Sequence, residues 1–299
     1  MEKNFYSGFA SIVGKPNVGK STLMNALVGE KVAIISNKPQ TTRNKITSVL
    51  TKEDYQIVFI DTPGFHKAKS KLGDYMVKSA SSAIADVDII LFVVEPKAPD
   101  SGLELIEKLK TVKSDVFLVI NKIDMVEKTK ILEVISAYKN LFDFKEAVPI
   151  SAYNRENLDL LLKLVRGRLP EGPMYFPEGM VTDQPERQIV SEIIREKILH
   201  IMKDEVPHGA AVEIVQMKKR QGKGLMDIEA TIYCEKDSHK GMIIGKNGSA
   251  LKEVGTRARY EIERLLGQPV NLKLWVKVKK GWRDSDFYLK NFGYDLKRE

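Results

Sequence analysis

The sequence predicts a doubly wound α/β domain over residues 1–169 and a smaller α+β domain over residues 187–299. Three observations predict this pair. Apolar runs alternate with helix-like stretches through the first part of the chain. Residues 170–186 then break the pattern with four prolines. Beyond them the order of elements changes to α-β-β-α-α-β.

The first-domain strands are read at SGFASIVG (7–14), KITSVL (45–50), YQIVFID (55–61), VDIILFVV (87–94), DVFLVIN (115–121) and EAVPIS (146–151). Several are continuous apolar runs, as expected of strands covered on both faces in a mostly parallel sheet. Helix-like stretches fall near 19–28, 74–84, 101–110, 128–138 and 156–168. Pro170, Pro173, Pro177 and Pro185 then mark a linker that favours extended, semi-rigid chain, because proline cannot donate to a ladder or a helix. After it come a helix (187–202), the strands AAVEIVQMKK (210–219) and LMDIEATIYCEK (225–236) joined by QGKG, a short helix, GKNG, a longer helix (249–266) and the strand PVNLKLWVKVKK (269–280).

Composition sets outer bounds. The length of 299 residues suits about two domains, and 43% hydrophobic with 29% charged residues is globular rather than disordered. Cys234 stands alone, so no intramolecular disulfide forms and a reducing compartment fits. The N-terminal residues lack the apolar core of a signal peptide, and no window approaches a membrane span, so a cytosolic protein is expected. The net charge of +8 is uneven: residues 1–185 hold 25 Lys+Arg against 23 Asp+Glu, and residues 186–299 hold 23 against 17. The excess in the last third suits an anionic partner there.

Gly14-Lys15-Pro16-Asn17-Val18-Gly19-Lys20-Ser21 follows an apolar strand and opens a helix, which is the setting of a phosphate loop. Glycines let backbone amides close on phosphate oxygens, and the helix N-terminus adds partial positive charge. Lys20 is placed to reach the β- and γ-phosphates, and Ser21 to ligate Mg²⁺. Three further segments end strands in chain order. Asp61-Thr62-Pro63-Gly64 offers a carboxylate for the Mg²⁺ shell and the Gly64 amide for a γ-phosphate. Asn121-Lys122-Ile123-Asp124 looks like the guanine-specificity motif of GTPases, with Asp124 accepting from the guanine edge. Ser151-Ala152 resembles the motif whose backbone amide meets the guanine oxygen. All four lie at strand C-termini, where open α/β sheets bind ligands. In Pro39-Gln40-Thr41-Thr42-Arg43, resemblance to related GTPases favours Thr42 as a further Mg²⁺ ligand, with Thr41 second. Phosphoryl chemistry is thereby assigned to Lys20, Thr42 and Gly64. Phe65 stands where Ras-like switches carry a water-orienting glutamine, which resembles the hydrophobic-substituted branch of translation-factor-like GTPases.

In the second domain, Gly245-Lys246-Asn247-Gly248 sits between two helices, and the element order is that of a type II KH domain. Such a loop clamps about four nucleotides of single strand. Lys246 can pair with a phosphate, and Ile243 and Ile244 are read as walls of a groove beside the bases. On the last strand Lys273, Trp275, Lys277 and Lys279 share one face. That face reads either as an RNA contact or as a solvated surface with Trp275 packed under the C-terminal segment.

Across nearly the whole chain, GKPNVGKS, PQTTR, DTPGF, NKID and SA followed by IIGKNG resemble the Era family of bacterial GTPases. EngA-like GTPases carry two GTPase domains in tandem, and this chain has one. The resemblance implies GTP hydrolysis, Mg²⁺, binding to the 3′ end of small-subunit ribosomal RNA and a role in small-subunit assembly. It implies peripheral contact with the inner face of the cytoplasmic membrane, and a monomer is expected. Related GTPases with asparagine at the place of Asn17 use K⁺ to neutralise phosphate charge, so K⁺ near Asn17 is a second expected ion. Two rival readings are an RNA-binding regulator controlled by GTP occupancy with little turnover, and a membrane-recruited switch whose KH-like domain binds protein.

Overall fold

Every residue of the strand Ile89–Val94 is buried, which only a sheet covered on both faces allows. The computed structural model describes residues 4–38, 40–64, 68, 70–99, 103–203, 206–222 and 224–294. These cluster into two units, the first drawn from 1–33, 42–67 and 76–183 and the second from 34–41, 68–75 and 184–299.

The first sheet contains β1 (Tyr6–Val13), β2 (Ile46–Thr51), β3 (Tyr55–Asp61), β4 (Ile89–Val94), β5 (Asp115–Ile120) and β6 (Glu146–Pro149), in the order β2-β3-β1-β4-β5-β6. β2 runs antiparallel to β3, and the other neighbours are parallel. The chain's helices here are α1 (Lys20–Val28), α2 (Lys71–Ser82), α3 (Leu103–Leu109), α4 (Lys128–Lys139) and α5 (Leu158–Arg166). The period of two along each strand divides the apolar runs between two cores. Ile12, Phe59, Leu91 and Phe117 pack with Leu23 of α1 and Leu161 of α5. Val13, Phe92 and Leu118 pack with Ile131 and Val134 of α4. The phosphate loop, Asp61, Asn121 and Ser151 consequently emerge together at the carboxyl ends of β1, β3, β5 and β6.

The proline-rich stretch is fastened along the first unit, which clusters as far as Asp183. The Ser7 amide donates to the Pro170 carbonyl at 3.1 Å, and the Val49 amide of edge strand β2 donates to the Val181 carbonyl at 2.8 Å. The buried Gln56 amide accepts from the Tyr175 and Phe176 amides at 2.8 and 3.0 Å and donates to the Phe176 carbonyl at 2.8 Å. Proline composition signals chain that forms no ladder of its own. It carries no signal for a glutamine 120 residues away that satisfies the same backbone groups.

The second unit holds α6 (Glu186–Ile201), β7 (Ala211–Arg220), β8 (Leu225–Cys234), α7 (Asp237–Ile244), α8 (Ser249–Leu266), β9 (Val270–Val278) and α9 (Asp286–Asn291). Its sheet runs β7-β8-β9, antiparallel then parallel. Val254, Ala258 and Ile262, one helical turn apart on α8, pack with Val190, Ile194 and Ile198 of α6 over Ile228 and Ile232. Trp275 is 59% exposed and is not packed under the described C-terminal residues. Phe292 instead lies against Tyr233 with the rings tilted by 38°, and Lys279 lies over the Tyr288 ring.

Candidate nucleotide and RNA sites

Gly19 fits a place that no other residue can take. Its φ is +96°, and a Cβ there would lie 2.3 Å from Asn121 Nδ2. The loop therefore closes directly on the guanine-motif strand end. The Lys20 ammonium is buried and donates to the Gly14 and Lys15 carbonyls at 3.1 and 2.9 Å. Burial pulls its pKa down to about 8, against the pull of the Asp61 carboxylate. A phosphate would restore the lysine's preference for charge.

Ser21, Thr42 and Asp61 converge. Ser21 Oγ donates to Asp61 Oδ2 at 2.6 Å and lies 2.9 Å from Thr42 Oγ1, which is 3.5 Å from the same carboxylate oxygen. Among the described residues Asp61 Oδ1 is buried with no hydrogen-bond partner, and burial raises this carboxyl to about pKa 6 although Lys20 and the Ser21 hydroxyl oppose the shift. An orphaned buried carboxylate oxygen beside two hydroxyls is a hard, oxygen-only donor set, which fits Mg²⁺. Thr41 is directed elsewhere, since its hydroxyl donates to the Lys38 carbonyl at 2.6 Å. The Thr62 hydroxyl donates to the Ile12 carbonyl at 3.0 Å and fixes the turn after β3. A Cβ on Gly64 would lie 2.7 Å from the Pro16 nitrogen, so the Asp61–Gly64 turn and the phosphate loop touch backbone to backbone. Phe65 and Pro39 lie outside the described residues.

Asn121 ties three motifs together. Its Nδ2 donates to the Val18 carbonyl, and its Oδ1 accepts from the Ala152 amide, both at 2.9 Å. Lys122 takes a left-handed φ of 66°, and its ammonium spans the Asn17 carbonyl at 2.7 Å and Glu95 Oε1 at 2.6 Å. Burial works to raise the Glu95 carboxyl, but Lys122 and Lys97 hold it below the usual range. Sequence reading missed Glu95, which follows β4 with no motif of its own. Ile123 is buried, and its amide bonds the Ile150 carbonyl at 3.2 Å. Ser151 acts here through its side chain: the hydroxyl donates to Asp124 Oδ1 at 2.5 Å, while its amide bonds the Glu156 carbonyl at 3.2 Å. That hydroxyl sets the direction of the carboxylate meant for the base.

In the second unit, Gly245 has φ +73°, and a Cβ there would meet Ala250 Cβ at 2.7 Å. Asn247 is left-handed at φ 51°, so α7 and α8 meet at a tight corner with Lys246 and Asn247 exposed. Ile243 corrects the sequence reading. It is 0% exposed and belongs to the core, so it walls no groove. A helix as short as α7 needs that residue as its anchor, and Ile244 alone is partly open. A groove beside Gly248 is lined by the partly buried Leu251, Leu272 and Leu274 and by the exposed Lys252, Thr256 and Arg259. Gly248 caps α8, and residues 252, 255 and 259 continue from it as one stripe of that helix, which was the available signal.

A family model described as a 50S ribosome-binding GTPase matches residues 9–122, and one described as a KH domain matches residues 205–283. GTPase Era of Clostridioides difficile is 56% identical over 296 residues, spanning 98% of this chain and 100% of that protein. GTPase Era of Ruminiclostridium cellulolyticum is 54% identical over 295 residues, spanning 97% and 98%. A solved structure of an Aquifex aeolicus Era bound to GDP.AlF4- superposes with a TM-score of 0.94 at 41% identity, covering 98% of this chain and 100% of that one. Era in complex with MgGDPNP and nucleotides 1506–1542 of 16S ribosomal RNA gives the same TM-score of 0.94, 41% identity and coverage of 98% and 100%. Fold and site together define a phosphate-loop GTPase carrying a KH domain. The chain belongs to the Era family of GTPases.

Proposed function

We propose that this GTPase is a molecular switch that binds the 3′ end of small-subunit ribosomal RNA through the groove at Gly245–Gly248 and acts in small ribosomal subunit assembly. The observation that carries the proposal is a near-full-length likeness, at TM-score 0.94, to an Era solved with MgGDPNP and that RNA end. Lys20 exchanges its two carbonyl partners for the β- and γ-phosphates. Ser21, Thr42 and Asp61 would hold Mg²⁺, which supplies charge neutralisation across those phosphates. The Gly64 amide receives the γ-phosphate, so stabilisation of developing charge rests on groups already fixed in place. Sequencing RNA crosslinked to the chain with GTP or with GDP tests the whole. Enrichment of the small-subunit 3′ end that depends on the nucleotide is expected, and reads spread evenly over ribosomal RNA would defeat the proposal.

Base choice rests on Asp124, held by Ser151. Asp124→Asn should weaken GTP by about ten- to a hundredfold, because an amide placed against the guanine donors leaves polar groups unpaired. The variant should in turn favour xanthosine triphosphate. Competition between the two nucleotides reads this out, and an unchanged preference for GTP would remove Asp124 from the role.

The proposal extends to K⁺ beside Asn17, whose carbonyl is already engaged by Lys122 and whose side chain is exposed. Turnover should be faster in K⁺ than in Na⁺ at equal ionic strength, with the difference abolished in Asn17→Ala. Equal rates in the two salts discard this ion. No described helix is long and apolar enough to cross a membrane, so any membrane contact is proposed as peripheral. The proposed solution state is a monomer.

A further inference from the structure

Parallel pairing of β4 and β5 sets Val94 beside Ile120, and the Asn121 amide donates to the Val94 carbonyl at 2.9 Å. Glu95 and Lys122 consequently leave adjacent strand ends, and both belong to the first unit together with the phosphate loop. The Lys97 amide donates to the Glu95 carbonyl at 2.8 Å, which turns the chain sharply after β4. The Glu95 carboxylate divides its oxygens between two ammoniums: Oε1 takes Lys122 at 2.6 Å and Oε2 takes Lys97 at 2.8 Å. The Glu95 and Lys122 side chains are 27% and 32% exposed, so water screens their pair only in part. Burial works to raise the carboxyl, yet the two lysines hold it below its ordinary range, and it stays ionised at neutral pH.

The same Lys122 ammonium donates to the Asn17 carbonyl of the phosphate loop at 2.7 Å. The lysine stem therefore runs from the strand end that carries Asp124 to the loop that receives phosphate. A nucleotide joined to both must lie along that path, and the methylenes offer its base an apolar surface. A lysine left unheld samples many rotamers, and ordering it on binding would weaken the nucleotide. We propose that Glu95 is a positioning residue for Lys122: it holds the ammonium at the phosphate loop so that the stem lies as a fixed platform for the base, and it thereby tightens GTP and GDP alike. This rests on the proposed reading of Asp124 as the acceptor of the guanine edge.

The test titrates fluorescent GDP and a fluorescent non-hydrolysable GTP analogue, with Mg²⁺, against the full-length parent, Lys122→Ala, Glu95→Ala, Glu95→Gln and the double variant of Glu95→Ala with Lys122→Ala, and follows kcat and KM for GTP. Lys122→Ala should weaken both nucleotides. Glu95→Ala should weaken both by about fivefold, between the scale of an exposed ion pair and that of a charged hydrogen bond. KM should rise by the same factor with kcat unchanged, the mark of binding shared by ground and transition states. Glu95→Gln keeps an acceptor oxygen and the size of the side chain, so it should fold where Glu95→Ala does not, and its loss should be about twofold. Adding Glu95→Ala to Lys122→Ala should cost nothing further. A Lys122→Ala protein that binds both nucleotides like the parent would sink the platform. A weakened Lys122→Ala beside parent-like Glu95→Ala and Glu95→Gln, losses that add in the double variant, or a fall in kcat with KM unchanged would overturn the positioning role. Failure of the underlying base reading shows separately, as an Asp124→Asn protein that keeps its preference for GTP.

Discussion

Lys20→Ala is expected to remove GTP binding and turnover together. The ammonium lies at the base of the phosphate loop and donates to two backbone carbonyls, and the nucleotide is proposed as its stronger partner. Removing one member of a buried charge pair costs about 3–5 kcal/mol, which is roughly 150-fold to several thousandfold in affinity. The empty protein should tolerate the change. Burial already holds Lys20 down to about pKa 8, so folding disfavours its charge and gains little from it. Fluorescent-nucleotide titration, with thermal unfolding of the nucleotide-free variant, separates the two effects. Retention of GTP affinity within about threefold would leave Lys20 with no ground-state role and would contradict the phosphate contacts assigned to it.

Lys246→Asp combined with Asn247→Asp should abolish binding to the single-stranded 3′ end of small-subunit ribosomal RNA while leaving GTP affinity unchanged. Both side chains are exposed at the corner between α7 and α8, so neither holds the fold. Asn247 is left-handed at φ 51°, a conformation that aspartate tolerates nearly as well as asparagine. The variant should therefore fold. Two carboxylates would then face the sugar–phosphate backbone, and like-charge juxtaposition costs several kcal/mol, roughly a hundredfold or more in affinity. Residual binding should also depend less on salt, the log–log slope falling by about 0.7 for each phosphate of the single strand that the variant leaves unneutralised. Filter binding across a salt series measures both. Undiminished affinity would move RNA recognition to the Lys252–Arg259 stripe alone.

The phosphate and guanine motifs were legible because their spacing is tied to backbone geometry. A glycine at position 19 and strands ending at Asp61 and Asn121 leave few other arrangements. The trio proposed for Mg²⁺ was legible in type, but choosing Thr42 over Thr41 from the residues alone was not possible. The choice depends on the Thr41 hydroxyl being spent on the Lys38 carbonyl. Ile243 misled because a helix of eight residues gives too few turns to tell its core side from its groove side. Glu95 and Gln56 were invisible for a different reason. Each makes its defining contact across the fold, with Lys122 and with Phe176, and neither belongs to a local pattern. The proline-rich stretch bridges to Tyr6 of β1 at Glu171 and bonds β2 at Val181, and that attachment depends on strand edges that the sequence does not mark as such.

Nucleotide and RNA are expected to act on one switch rather than at two independent sites. The described residues of 34–41, which lead into Thr42, and of 68–75, which follow the Asp61–Gly64 turn, cluster with the unit that carries the KH domain. The direct measurement is the affinity of a fluorescent GTP analogue with and without saturating RNA from the small-subunit 3′ end. RNA should tighten GTP by about 5- to 150-fold, the usual range of coupling, and GTP should tighten RNA by the same factor, because linkage is reciprocal. Identical GTP affinity in the presence and absence of RNA would contradict the account, leaving a GTPase and an RNA-binding module that share a chain without sharing a switch.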